Sequence, residues 1–202
     1  KWIPASSKNR IKKMVSDRPD WCVSRQRSWG VPLTIFIDKS TGEPVKDKKI
    51  MDEIILEVEK NGSDIWLSSD VTKFLGKDKD PNNYEIIRDI LDVWFDSGST
   101  HAFVLEDKLR WPADLYLEGT DQHRGFFQSS LLEACGTRGE PPYKSVLTHG
   151  FVLDGKGRKM SKSLGNIVKP EDILKKSGAD ILRLWVATTD YTEDMRIGDE
   201  VL

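Results

Sequence analysis

Cysteine is nearly missing from this chain of 202 residues: only Cys22 and Cys135 occur, and they form no C-x-x-C pair. That argues against a disulfide scaffold and against a zinc site built from this segment, and it points to a reducing, cytoplasmic compartment. Histidine is scarce as well, and His101, His123 and His149 are too scattered to suggest a metal cluster. No apolar run approaches the roughly 20 residues needed to span a bilayer, and no signal peptide is visible, so no membrane partner is expected. Charge of one sign is lacking too. With 31 basic and 33 acidic residues (net −2), no global basic field advertises nucleic acid, and any such contact must come from a local patch. There is no internal repeat and no low-complexity stretch. The length allows one large domain or two small ones with a real core. The start at Lys1 rather than Met, and the abrupt stop at Leu202, lead us to expect a piece of something larger.

Against this plain background one segment stands out. Residues 155–163 read Gly-Lys-Gly-Arg-Lys-Met-Ser-Lys-Ser, with four basic side chains and no acid. Lys159 and Lys162, flanked by Ser161 and Ser163, can bring ammonium groups and hydroxyls to one polyphosphate, while the glycines let the loop move over it. A lysine-rich loop with glycines is ordinarily a solvated turn, so composition alone does not make it a site. Gly150 to Lys156 also spells G-x-x-x-x-G-K, close to a P-loop. The next residue is Gly157, however, so the hydroxyl that holds magnesium in such loops is missing.

The hydrophobic pattern predicts a helix over 6–17 behind a serine cap, with Ile11, Met14 and Val15 on one face. Val31 to Ile37 reads as a buried strand with Pro32 at its start. Ile50, Ile54 and Val58 suggest a second helix ending near Gly62, and Asp70 to Gly76 a short third one. Asp78 to Asn83 reads as a surface loop. Asp114 to Leu117 is a predicted strand, followed by a turn and a helix from about Gln122 to Ala134; Ser145 to Thr148 is another strand. Pro170-Glu171-Asp172 opens a helix with proline in its first turn and acids at its positive end, and Gly178 separates it from a helix over 179–188. This order of strands and helices predicts a doubly wound α/β sheet, whose ligands lie beyond the carboxyl ends of the strands.

Two such ends can be located. At Glu118-Gly119-Thr120-Asp121-Gln122 two carboxylates flank a strand-to-helix turn, suited to an ammonium group or a ribose diol; alternatively Asp121 simply caps the helix. At His149-Gly150-Phe151, backbone groups beside a glycine can meet an adenine ring, or the glycine merely ends a strand. Trp94, set between acids and a glycine turn, reads by itself as core. Trp21 to Gly30 interleaves Arg25 and Arg27 with aromatics, as nucleic-acid contacts do and as snorkelling surface arginines also do.

The wording of these segments resembles class I aminoacyl-tRNA synthetases, and within them the isoleucyl branch in its bacterial or organellar form. Lys159-Met160-Ser161-Lys162-Ser163 matches the lysine-loop signature, with His149-Gly150-Phe151 before it and Leu164-Gly165-Asn166 after it. Leucyl, valyl and methionyl members share that loop. Trp21-Cys22-Val23-Ser24-Arg25-Gln26-Arg27 and Glu118-Gly119-Thr120-Asp121-Gln122-His123-Arg124-Gly125 favour the isoleucyl branch, and Asp92 to Ser99 and Gly178 to Ala187 agree with it. The resemblance is weakest over 38–90.

It implies the second half of a Rossmann-type catalytic domain followed by helices. Residues 1–37 would return from an editing insertion, 38–90 would be a helical connection, 91–168 would carry the second Rossmann half with the lysine loop, and 169–202 would contact the stem region. It also implies roles. Glu118 would bind the amino group of an aminoacyl adenylate, with Gly119, Asp121 and Gln122 around its ribose and ester. Trp94 would line the amino-acid pocket. Phe126 would form the other wall, where the family usually has tryptophan, leaving that wall apolar but roomier. His149, Gly150 and Phe151 would meet adenosine, and Lys159, Met160, Ser161, Lys162 and Ser163 would meet ATP phosphates, with Lys159 and Lys162 catalytic. Arg25 and Arg27 would contact tRNA. The implied substrates are isoleucine, ATP with Mg²⁺ and tRNA(Ile), with no zinc in this segment and a monomeric parent. Valyl, leucyl and methionyl enzymes, or a non-catalytic tRNA-binding module, are the alternatives. The family's His-x-Gly-His string and editing domain are not in the sequence, so the chain alone is expected to form no adenylate.

Overall fold

The computed structural model describes residues 1–18, 20–68 and 70–202. They form two compact units, Lys1–Pro19 with Thr100–Leu202, and Asp20–Ser99. The first unit begins with β1 (Trp2–Ile3) and α1 (Ser7–Ser16). Ile11 is buried and Met14 and Val15 half-buried, as the helical spacing predicts. The serine cap is not formed: the Ser6 side chain makes no capping bond, and Ser7 instead shares a buried 3.0 Å hydrogen bond with Thr148.

The second unit is a small aromatic core under short elements. They are β2 (Ser24–Arg25), β3 (Phe36–Asp38), α2 (Lys48–Asn61), α3 (Ile65–Ser68), β4 (Tyr84–Ile86), β5 (Ile90–Leu91) and α4 (Val93–Gly98). β2 pairs antiparallel with β5, and β3 with β4. Phe36, Ile50, Ile54, Trp66, Val71, Phe74 and Leu75 pack together, with Trp66 wholly buried between the Phe36 and Phe74 rings. Each such buried side chain contributes roughly 1.5–3 kcal/mol of transfer free energy. The Trp66 indole N–H donates to the Ile87 carbonyl (2.7 Å), which removes its polar burial cost. α2 starts where Asp47 accepts from the Lys49 N–H and ends at Gly62. The expected third helix over 70–76 is a single tight turn, Thr72–Leu75.

One expectation fails. Val31 to Ile37 is not one strand: only Phe36–Asp38 is, and Val31 is exposed. The Ile35 N–H turns back to the Leu33 carbonyl (3.0 Å), breaking the ladder between Pro32, which bridges to Ile90, and β3.

The chain then re-enters the first unit with β6 (Tyr116–Gly119), α5 (Phe126–Arg138), β7 (Val146–His149), β8 (Val152–Leu153), α6 (Pro170–Ser177), α7 (Ala179–Thr188) and β9 (Met195–Arg196). The sheet is parallel, in the order β1-β7-β6, with Tyr116, Phe127, Tyr143 and Val146 as its core. The helix expected from Gln122 is split: a tight 3-10 turn over Thr120–Arg124 precedes α5, Gly125 standing between them, and α5 continues to Arg138 before Gly139 caps it. β6 lies two residues further along than expected, where its pairing with β7 places it. No helix among the described residues is long and apolar enough to cross a membrane.

Candidate functional site

The parallel register aligns the two expected strand ends: Glu118 stands beside Thr148 and Gly119 beside His149. Backbone pairing therefore joins segments 30 residues apart in sequence into one carboxyl edge. Asp121 does not cap α5. Its carboxylate lies where a Gly119 Cβ would come within 2.6 Å, so that position tolerates no side chain without movement. Gln122 positions this corner, donating to the Asp121 carboxylate (3.2 Å) and accepting from the Phe126 N–H (3.3 Å). Glu118 and Asp121 remain exposed. The Phe126 ring stacks on Tyr116, with 4.9 Å between centroids, at the margin of the core. Arg10 of α1 donates to the Thr120 hydroxyl (2.9 Å), and with Thr148, His149 and Gly150 these residues line a cavity of about 400 Å³.

Gly150 is where a second strand system meets this edge. A Cβ there would stand 2.2 Å from the Glu193 carbonyl oxygen and 2.7 Å from the Asp194 nitrogen, so only glycine fits. The Gly150 N–H donates to the Tyr191 carbonyl, the Phe151 N–H to the Asp194 carboxylate, and β8 runs parallel to β9. Residues 191–196 thus form a strap behind His149 and Phe151, which no local pattern singles out.

The lysine loop leaves β8 through a tight turn, closed by a bridge between Leu153 and Lys159 and made possible by Gly157 at φ +74°. Asp154 organises it. This buried carboxylate accepts from the Lys156 and Arg158 N–H groups (3.0 and 2.8 Å), the Arg158 guanidinium (3.0 Å) and the Asn166 amide (2.9 Å). The Asn166 bond above all, with the Arg158 N–H next, holds the Asp154 carboxyl at about 2, well below the usual carboxylate range. Asn166 also donates to the Lys159 carbonyl and accepts from the Ser161 N–H, so one amide fastens both limbs of the loop. Ser161 and Ser163 share a hydrogen bond (3.2 Å), and the Met160 sulfur accepts from the Val168 N–H. The ammonium of Lys159 lies 5.3 Å from the Phe151 ring centre, tying the loop to the His149-Gly150-Phe151 corner. Lys162 is exposed, and its ammonium makes no hydrogen bond or ion pair among the described residues. A clasped backbone with an uncommitted lysine can hold an anion without first breaking internal contacts.

Trp94, Arg25 and Arg27 belong to the other unit. Asp92 caps α4 by accepting from the Trp94 N–H and also takes the Trp21 indole N–H (2.9 Å) and the Arg25 guanidinium (2.5 Å). Trp94 is 40% exposed beside Arg27 and Trp29, so it is not the core residue its isolated context suggests. Arg25 is committed to Asp92 and to the Cys22 and Ser24 carbonyls, whereas Arg27 is exposed. Burial, and secondarily Asp92, pushes the Asp96 carboxyl up. Among the described residues no group of three His, Cys, Asp or Glu could hold a metal ion.

Sequence reading missed Asp154 and Asn166 as site residues. The available signal was an acid at the head of an otherwise basic loop and an amide just past its end, a pairing of the kind that closes turns.

Known proteins are similar to this chain in sequence and fold. The family model "tRNA synthetases class I (I, L, M and V)" matches residues 1–198. An isoleucine–tRNA ligase of Pelagibacter ubique is 59% identical over the whole chain, and one of Mesorhizobium japonicum 57%. The chain spans only 22% and 20% of their lengths, about a fifth. Among solved structures, a leucyl-tRNA synthetase of Agrobacterium radiobacter, in ternary complex with tRNA and LeuAMS, superposes with a TM-score of 0.61 at 19% identity, over 96% of this chain and 28% of that one. A Mycobacterium tuberculosis methionyl-tRNA synthetase bound by methionyl-adenylate gives 0.60 at 21%, over 98% and 31%. At such identities the likeness is one of fold.

Proposed function

The chain belongs to the class I tRNA synthetases of the isoleucine, leucine, methionine and valine group, and from that membership we propose that it is part of an isoleucine–tRNA ligase. The full-length protein joins isoleucine to tRNA(Ile) at the expense of ATP, as a monomer in the cytoplasm. What supports the isoleucyl assignment over its siblings is the identity of 54–59% to isoleucine–tRNA ligases along the whole chain. Residues 91–168 supply the second half of the catalytic fold, 169–202 the helices toward the stem, and residues 1–37 and 38–90 the return from an insertion and a connection.

The isoleucine carboxylate attacks the α-phosphorus of ATP, which enters with its Mg²⁺, and pyrophosphate leaves. The terminal ribose of tRNA then takes the acyl group from the adenylate. No covalent nucleophile on the protein is needed, because positioning and charge stabilisation suffice. Glu118 receives the substrate ammonium; Gly119, Asp121 and Gln122 hold the ribose and ester region; His149, Gly150 and Phe151 meet adenosine. Lys162, with Lys159, Met160, Ser161 and Ser163 around it, meets charge as it moves onto pyrophosphate. Within its own unit Phe126 is assigned to the amino-acid pocket, and within the other unit Arg25 and Arg27 are assigned to tRNA, Arg27 being the less committed. An apolar pocket separates substrates differing by one methylene by only about 1–3 kcal/mol, so editing outside this chain completes specificity.

The observation that carries the reading is the alignment of Glu118 and Gly119 with Thr148 and His149 at one strand edge, with an uncommitted Lys162 on the loop beyond. In a full-length synthetase carrying this chain, Lys162→Ala should slow isoleucine-dependent ATP–pyrophosphate exchange about 100- to 1,000-fold, the range for losing one such charge-stabilising group. Its tRNA affinity should barely change. Exchange stimulated by valine but not isoleucine would sink the assignment, and loss of tRNA binding with exchange intact would favour a non-catalytic tRNA module. The chain on its own is expected to show no exchange.

A further inference from the structure

The turn over Thr120–Arg124 carries Asp121 and Gln122, and one of its five side chains is turned wholly away from solvent: His123. Asp121 and Arg124 are exposed, and Thr120 and Gln122 are half-buried. The His123 ring stacks on Trp2 of β1, with 6.0 Å between centroids, and meets the Phe127 ring edge-on at 5.7 Å. Its Nδ1 lies 2.6 Å from the Thr120 carbonyl oxygen. A carbonyl oxygen only accepts, so Nδ1 carries the proton. Burial, above all, holds the imidazole below its ordinary value, so at neutral pH the ring has this one N–H. Nε2 makes no hydrogen bond among the described residues. A phenyl ring would fill the same aromatic slot without burying an unpaired nitrogen. The fold therefore bears a cost for the Nδ1–H bond, and the backbone that receives it is the turn itself.

That turn needs fastening. A 3-10 turn has poorer hydrogen-bond geometry than an α-helix and is uncommon beyond roughly three or four residues. This one runs for 5 residues, starts behind Gly119, which offers no capping side chain, and stops at Gly125. Thr120 is fixed at two points: its hydroxyl accepts from Arg10 of α1 (2.9 Å) and its carbonyl from His123. Asp121 and Gln122 follow directly and share a 3.2 Å hydrogen bond. Resting on the proposed function, which sets both groups around the ribose and ester, we propose that His123 is a positioning residue for adenylate formation, its Nδ1–H holding the turn where Asp121 and Gln122 meet the reacting groups. Being buried beneath the corner, it touches no substrate and acts through those two side chains. Glu118 precedes the turn on β6 and is held by strand pairing instead.

The test uses a full-length synthetase carrying this chain, with His123→Asn, His123→Gln and His123→Phe. The asparagine amide nitrogen can take the place of Nδ1, the glutamine amide reaches that of Nε2, and phenylalanine keeps only the ring. In isoleucine-dependent ATP–pyrophosphate exchange, His123→Gln and His123→Phe should lower kcat about 10- to 100-fold, the range for misplaced reacting groups, while His123→Asn stays within about fivefold. KM for isoleucine should move less than about threefold in all three, because the substrate ammonium is assigned to Glu118 and not to the turn. Active-site titration by adenylate formation separates positioning from folding: a merely structural role lowers the number of active sites and leaves kcat per site unchanged. Equal kcat per site in all four proteins overturns the inference, and so does a folded asparagine protein as slow as the glutamine one. Should only the asparagine protein fold, a kcat per site within about fivefold supports the inference and a fall of about tenfold or more overturns it. Exchange by the unsubstituted protein checks the proposed function separately. Its absence refutes that reading, whereas its presence with kcat per site unchanged in the variants refutes this inference alone.

Discussion

Asp92 and Asp154 are both buried carboxylates that gather an arginine and backbone N–H groups, one beneath aromatic rings and the other beneath an exposed loop. Around Asp92 the side-chain partners come from distant segments, with only the Trp94 N–H local: the Trp21 indole and Arg25 lie about 70 residues upstream, and Trp21 packs near the Phe95 ring. Around Asp154 every partner comes from the next twelve residues, and the loop it shapes leaves Lys162 open to solvent. The same device therefore does two jobs. Long-range partners make a carboxylate an anchor of tertiary structure, whereas short-range ones make it a local mould for a loop.

The sharpest way to break this comparison is Asp92→Ala. It strands Arg25, uncaps α4 and frees the Trp21 indole together, and we expect a loss of about 2–4 kcal/mol in denaturant unfolding, discounted because Arg25 is one-third exposed. A loss under about 0.5 kcal/mol, the scale of an ordinary surface change, would show that Asp92 is no anchor.

Asp154→Ala and Asn166→Ala should do the reverse. The unfolding midpoint should fall less than in Asp92→Ala, most for Asp154→Ala, whose carboxyl contributes stability at neutral pH, while trypsin cuts faster at Arg158, Lys159 and Lys162 and isoleucine-dependent exchange falls on the order of tenfold to a hundredfold through misplacement of the lysines. Unaltered cleavage in both variants would mean that the loop keeps its shape without the clasp.

Acid gives the smallest and most graded effect. His123 is buried and held below its ordinary value, chiefly by desolvation, so the unfolded chain binds its proton more readily. Stability should be full above about pH 6.5 and erode as pH falls below it. The Asp154 carboxyl is depressed to about 2, so its contribution is full above roughly pH 4 and is lost only as pH falls toward about 2. Thermal midpoints across about pH 4–7 should therefore decline while the Arg158 and Ser161 amides stay protected from hydrogen exchange. Protection lost already at about pH 5 would contradict the clasp.

Much of this was legible in the chain because the signals are local. Pro170 and Gly178 bracket α6, and α7 runs over 179–188 as its pattern predicts. The lysine loop and both strand-end motifs announce themselves by residue type within a dozen positions. Val31 to Ile37 misled, because an apolar run does not reveal that the Ile35 N–H will fold back on Leu33. Ser6 misled because residue type does not reveal its backbone, which is already helical rather than extended and leaves the side chain without a capping bond. The part played by His123 was invisible, since it looks like one of three scattered histidines until Trp2 and Phe127 close on its ring.

By itself the sequence determined the repertoire: a parallel α/β unit, a glycine-jointed lysine loop, and carboxylates at a strand end. Those follow from short-range propensity, turn chemistry and periodicity, which act within a few residues. Only the tertiary structure decided which of these groups meet. Parallel register set Glu118 beside Thr148 and Gly119 beside His149, the strap at 191–196 made Gly150 irreplaceable, and packing of α1 brought Arg10 to Thr120. Side-chain proximity across 30 to 110 residues is set by burial and backbone pairing of the whole unit, and no local pattern encodes it.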